Sequence, residues 1–200
     1  RQMCIRDRLC EFTSVTAKTR GGLLDNGELD CVIASFTVTD ERKKSWNFTQ
    51  QYRLEPVTFM VSKDSGAKTL ADMDGFVIGV GQGTTTAELI EQYAKDKGID
   101  VNYEVQDFQY ISDGVAALKT GQIDAYSVDR TGLIAYMDDS MMLTEDAFGV
   151  QDIGIALKLG NDELTKFMDD TLTELKESGR LDELKAKWGI LTDEEVAAMQ

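Results

Sequence analysis

The chain has 200 residues, 42% of them hydrophobic, and a formal net charge of −15. That is room for one large domain or two small lobes with real cores, while the acidic balance argues against nucleic acid as a partner, since phosphate binding needs basic surface. Histidine is absent, which removes Ser-His-Asp and Cys-His catalysis and most zinc sites, and no apolar run reaches the length of a membrane-spanning helix.

From the start, Arg1-Gln-Met-Cys-Ile-Arg-Asp-Arg8 has no initiator Met and no signal-peptide pattern, and matches nothing that follows. It resembles translated sequencing-adapter read-through, so residues 1–10 are expected to be non-native, with a genuine basic arm as the alternative. Cys4 and Cys10 fall in that segment, leaving Cys31 as a small buried hydrophobe with no disulfide or metal pattern. The body then alternates short apolar runs with amphipathic segments, the pattern of an α/β protein. Thr19 to Asn26 reads as a helix ending at Gly27, and Cys31-Val-Ile-Ala34 as a buried strand. Thr39 is a good N-cap for a helix over Asp40–Ser45, with Asp40 and Glu41 in its first turn. Val57-Thr-Phe-Met-Val61 and Phe76-Val-Ile-Gly-Val80 are strands; a helix follows the second, through about Lys97. Val101–Val105 is extended, Ile111–Lys119 helical with a stop at Gly121, Ile123–Val128 a strand and Arg130–Met137 a helix. Ile153-Gly-Ile-Ala-Leu157 is a late strand. Two helices close the series: one carries Leu164, Phe167, Met168, Leu172 and Leu175 at helical spacing, the other Leu181, Leu184 and Trp188 on one face. The middle block has a strand–helix series that can bury its own sheet, so two lobes are expected, joined by crossings near Phe59–Val61 and Ile153–Ala156.

Three strand ends carry chemistry. Ser35-Phe-Thr-Val-Thr-Asp-Glu-Arg42 brings hydroxyls, free backbone N–H groups and the Arg42 guanidinium to one spot, and a guanidinium matches a carboxylate with two prongs; the same segment also reads as an ordinary cap with a solvated Arg. Gly83-Thr84-Thr85-Thr86 after strand 76–80 offers a tight turn and a helix N-terminus to an anion. A dinucleotide site is not supported, because the third glycine of G-x-G-x-x-G falls at Thr84, and no P-loop sequence occurs; no cofactor is expected. Asp129 stands just beyond strand 123–128, where it is either a helix cap or the partner of a ligand cation. Arg42, Thr84 and Asp129 together suit a zwitterion.

The ordered series Val15-Thr-Ala-Lys-Thr-Arg20, Leu24-Asp-Asn-Gly-Glu-Leu-Asp30, Thr37-Val-Thr-Asp-Glu-Arg-Lys-Lys44, Asn47-Phe48, Leu70-Ala-Asp-Met-Asp-Gly75, Gly83-Thr84-Thr85, Leu118-Lys-Thr-Gly-Gln-Ile-Asp-Ala125 and Val128-Asp129, with the ending Gly179–Gly189, resembles the extracytoplasmic solute-binding proteins of ABC importers, polar amino acid type (family 3). The resemblance covers nearly everything after residue 15. It implies a two-lobed, periplasmic-binding-protein-like (type II) α/β fold with a hinge: lobe 1 from residues 11–60 and 154–200, lobe 2 from residues 61–153. It implies a binder, not an enzyme, that takes a polar or acidic L-amino acid of the glutamate, aspartate or glutamine kind and delivers it to a membrane permease, as a monomer outside the cytoplasm. Arg42 would clamp the α-carboxylate, helped by Thr37 and Ser35; Thr84, with Thr85 beside it, would donate from the second lobe; Asp129 would take the α-ammonium. Ser35 stands in place of a frequent glycine, and Gly81 where some members carry a basic residue. Arg130 reads equally as a contact to an acidic side chain or a surface residue. The family begins with a strand–helix–strand unit not found here, so lobe 1 is expected to be incomplete and the chain truncated. The alternative is a cyclohexadienyl or arogenate dehydratase-like enzyme on the same scaffold, with Glu88, Glu104 or Glu145 as the acid. A sensing domain of a receptor is less expected, because Leu191–Gln200 reads as a natural end.

Overall fold

The structure is a computed structural model describing residues 10–199; Cys4 and the rest of the N-terminal string before Cys10 lie outside them. The first helix, α1 (Arg20–Asp25), buries Leu24 and stops where Gly27 takes a φ of 72°, a conformation glycine adopts without a Cβ penalty. β1 (Cys31–Val32) follows and is shorter than the expected Cys31–Ala34. Thr39 does cap: its Oγ1 accepts from the Arg42 amide at 3.1 Å. The helix expected over Asp40–Ser45 is nevertheless a single 3₁₀ turn, Arg42–Lys44, because the chain enters β2 (Trp46–Phe48) at once and so few residues cannot offset helix nucleation.

β3 (Arg53–Ser62) is buried at every residue from Glu55 to Val61, the mark of a central strand covered on both faces. After it come β4 (Phe76–Gly81), α2 (Thr86–Lys97), β5 (Tyr103–Phe108), α3 (Ile111–Lys119), β6 (Ala125–Asp129), α4 (Arg130–Ile134), β7 (Met141–Leu143) and β8 (Phe148–Ile153). These strands form one six-stranded sheet in the order β5-β4-β6-β3-β7, with β8 also on β3. β4 runs parallel to β5 and β6, and β3 antiparallel to β6, β7 and β8. Pro56 has no N–H for the ladder, and it falls where the β3–β8 register shifts between Glu55 and Val57, a position proline tolerates. Alternation along β3 sends Val57, Phe59 and Val61 to a cluster with Leu70, Ile78 and Ile90, while Met60 packs with Tyr126, Leu118 and Leu133 on the other face. Each fully buried side chain of this size contributes about 1.5–3 kcal/mol.

The late strand expected over Ile153–Leu157 is two strands in two sheets. β8 ends in the large sheet, and β9 (Ala156–Lys158) lies between β1 and β2 in a three-stranded antiparallel sheet. The break is at Gly154, where a Cβ would sit 2.8 Å from Val38 Cγ2 and 3.2 Å from the Thr49 carbonyl. The opposite passage runs beside it: Thr49 N donates to Ile155 O at 3.0 Å, Ile155 N to Thr49 Oγ1 at 3.0 Å, and Tyr52 N to Ile153 O at 2.9 Å. The chain passes from β2 of the small sheet to β3 of the large one at Thr49–Tyr52, whereas Phe59–Val61, near which a crossing was expected, lies deep in the large sheet. α5 (Asp162–Glu177), α6 (Arg180–Lys187) and α7 (Asp193–Ala197) complete the chain. Leu164, Met168 and Leu172 of α5 pack on Leu157 of β9, whereas Phe167 and Trp188, expected on the helical faces, are 57% and 69% exposed.

Candidate functional site

The parallel strands β4, β5 and β6 all end at one rim of the large sheet, the usual ligand position in open α/β folds. A cavity of about 350 Å³ opens there, lined by Gly81, Phe108 and Asp129 from that sheet, by Thr84 from the turn after β4, and by Arg20, Ser35 and Thr37 from the chain around the small sheet. Four of the six expected site residues, Ser35, Thr37, Thr84 and Asp129, line it. Arg42 and Thr85 stand beside it. Arg130 is outside the lining, and Glu88, Glu104 and Glu145 are exposed and outside it as well.

Arg42 spans the gap between the two sides. Its guanidinium donates to the Thr37 carbonyl at 3.0 Å and to the Gly83 carbonyl at 3.4 Å. Burial lowers its pKa, against the pull of Glu88 and Asp129. Gly83 is itself touched from the other side: its φ is 78°, and a Cβ would sit 3.2 Å from Lys18 Cα. Thr84 spends its hydroxyl proton on the Gly81 carbonyl at 2.7 Å, which fixes the turn into α2.

Two hubs link the expected residues, and both come from the crossing strands. Gln151 of β8 is 5% exposed; its Oε1 accepts from the Thr37 and Thr85 hydroxyls, the latter at 2.8 Å, and its Nε2 donates to Asp129 Oδ1 at 3.0 Å. Glu55, its register partner on β3, accepts from Thr131 N at 2.8 Å and Thr131 Oγ1 at 2.9 Å, and pairs with Arg53 at 2.9 Å. Arg53 in turn donates to Ser35 Oγ at 2.6 Å. Burial pushes the Glu55 carboxyl above its ordinary range, although Arg53 and Thr131 oppose the shift.

Arg20 is the residue the sequence reading did not single out. It is 5% exposed, lines the cavity, donates to the Ser35 carbonyl at 2.7 Å and lies 3.9 Å over the Phe36 ring. Its Nε is buried without a hydrogen-bond partner among the described residues. Burial first, and then the neighbouring Arg42, lower its pKa to about 10. Arg42 also approaches Phe36, at 5.0 Å, so two guanidiniums share one ring and one corner of the site. The only sequence signal was its place in Val15-Thr-Ala-Lys-Thr-Arg20; Gln151, Arg53 and Glu55 gave none, since lone polar residues in strands read as solvent-facing.

The sequence profile of the bacterial extracellular solute-binding proteins, family 3, matches residues 5–190. The chain belongs to this family. It is 35% identical over 170 residues to the L-cystine-binding protein TcyJ of Escherichia coli strain K12, covering 82% of this chain and 62% of that protein. It is 31% identical over 185 residues to the ABC transporter glutamine-binding protein GlnH of Bacillus subtilis strain 168, covering 91% of this chain and 66% of that one. Among solved structures, an ancestral arginine-binding protein bound to arginine superposes with a TM-score of 0.78 at 31% identity, over 89% of this chain and 79% of that one. The fold is thus that of a two-lobed, type II periplasmic-binding-protein-like family 3 member. The chain spans 62% and 66% of the length of these two relatives, less than two thirds of each.

Proposed function

We propose that this chain is the amino-acid-binding part of an ABC importer's solute-binding protein, and that it takes a free amino acid between two lobes. The small sheet with α1, α5 and α6 is one lobe, the large sheet the other, and the paired passages Thr49–Tyr52 and Ile153–Ile155 are the hinge. One observation carries the reading: a single cavity is lined by both the Arg20 guanidinium and the Asp129 carboxylate, with Arg42 beside it on the Thr37 and Gly83 carbonyls, and this pairing of charges suits a zwitterion. Arg42 and Ser35 serve the α-carboxylate, and Asp129 holds the α-ammonium with the Thr37 hydroxyl beside it; Thr84 and Thr85, whose hydroxyl protons go to the Gly81 carbonyl and to Gln151, fix the turn at the wall.

The ligand side chain is acidic in this reading. The α-carboxylate needs one guanidinium, and Arg20 supplies a second in the cavity wall, where it is 5% exposed; a cation so far removed from water gains from an anion brought to it. The named relatives bind cystine, glutamine and arginine, so the family does not choose the side chain, and Arg20 is the local ground for glutamate or aspartate. Delivery to a membrane permease outside the cytoplasm follows from the family's role.

A thermal-shift screen of the common amino acids tests this. A ligand at a hundred times its Kd adds about 2.7 kcal/mol of stability, and glutamate or aspartate is expected to give the largest rise. In Arg20→Met that rise shrinks for the acidic ligands and not for their amides. An unchanged preference in Arg20→Met contradicts the acidic reading, and conversion of prephenate or arogenate by the protein contradicts the binder.

A further inference from the structure

Gln151 is more than a filler of the cavity wall. Its amide orientation is settled by its neighbours: a carboxylate oxygen only accepts, so Nε2 faces Asp129 Oδ1 at 3.0 Å and Oε1 is left for the two threonine hydroxyls. A hydroxyl carries one proton. Thr37 and Thr85 both give theirs to Gln151, which leaves Thr37, at the cavity wall, with lone pairs only. Among the described residues, the second Asp129 oxygen accepts no hydrogen bond. The side chains gathered on Gln151 therefore offer acceptors to the cavity, while the charged donors at the site are Arg20 and Arg42.

We propose that Gln151 is a positioning residue that sets the polarity of the site: it pins Asp129 and turns the Thr37 hydroxyl into an acceptor, so that an ammonium group is accepted at this end and a carboxylate is refused. The inference rests on the reading of the cavity as an amino acid site. Its place on β8, opposite Glu55 and two residues before the hinge passage at Ile153, makes the same side chain join Thr37 of the first lobe to Thr85 and Asp129 of the second. The ammonium recess is complete only when the lobes are together.

Gln151→Met tests this, because methionine keeps the length and volume and loses every hydrogen bond. The Kd of the amino acid bound by the wild-type chain is measured by displacement calorimetry, beside the melting temperature of the unliganded protein. The expected result is a Kd weaker by about tenfold or more with little change in melting temperature. Thr37→Val added to Gln151→Met costs less than Thr37→Val alone, since the two act through one bond. Gln151→Glu, isosteric but facing Asp129 with a second carboxylate, weakens binding too. Unchanged Kd values in the Met and Glu variants, or Gln151 and Thr37 losses that simply add, overturn the inference while leaving the site reading intact. A wild-type chain that binds no amino acid overturns the site reading and this inference with it.

Discussion

At the scale of single residues, the site is organised around charges held where water cannot fully reach them. Arg20 and Arg42 approach Phe36 at 3.9 and 5.0 Å, and the charge of Arg42 helps to lower the Arg20 pKa, so the proposed ligand carboxylate would relieve a repulsion already present. The Arg53–Glu55 pair beneath is nearly sealed, with side chains 10% and 2% exposed. Such pairs rarely add net stability, and they are costly to break; here the pair holds Ser35 at one end and Thr131 at the other. Burial is the larger influence on Glu55 and keeps its pKa above the ordinary 4.5. The folded chain thus binds this proton more tightly than the unfolded one. The stabilisation is complete below about pH 4.5 and is lost as pH rises through the raised value. Urea midpoints measured from pH 4 upward are expected to show the wild type losing ground to Glu55→Gln as pH rises. A gap that widens in favour of the wild type with pH contradicts this.

At the scale of elements, strongly periodic segments were legible and polar connectors were not. Ile111–Lys119 and the helix carrying Leu164, Met168 and Leu172 stand where their spacing placed them, because helical period and caps are local properties. β2 and β7, at three residues each, are too short to show a period, and their pairing is fixed by distant strands. The split at Gly154 was hidden for a similar reason: a glycine within an apolar run looks like a weak strand position, and only the approach of Val38 and Thr49 shows why a side chain fails there. In the site, the hydroxyls and Arg42 were readable from a strand-to-turn motif. Gln151, Glu55 and Arg53 act across β3 and β8, which meet only in the folded chain. Two glycines give opposite predictions at this scale. Gly114 of α3 lies against Tyr126, with a Cβ position 2.2 Å from the ring, so Gly114→Ala is expected to cost about 1–3 kcal/mol by overpacking. Gly22 of α1 has open space around it, so Gly22→Ala is expected to stabilise by about 0.4–1 kcal/mol. Thermal melts of both variants check the pair; a stabilised Gly114→Ala contradicts the packing described for α3.

For the whole molecule, the two sheets meet at the rim of the cavity through Arg42 on the Gly83 carbonyl and through Gly83 against Lys18. A ligand that touches Arg42 on one side and Asp129 on the other gains only in the closed arrangement, and so shifts the population toward it. The central claim is that one zwitterion bridges these two groups. Isothermal titration of the amino acid found in the screen into wild type, Arg42→Ala and Asp129→Asn tests it most directly. Removing one partner of a desolvated charge contact costs about 2–5 kcal/mol, roughly thirtyfold in Kd at the least, and that loss is expected for each variant with a stoichiometry of one in the wild type. Wild-type affinity retained by either variant would contradict the account.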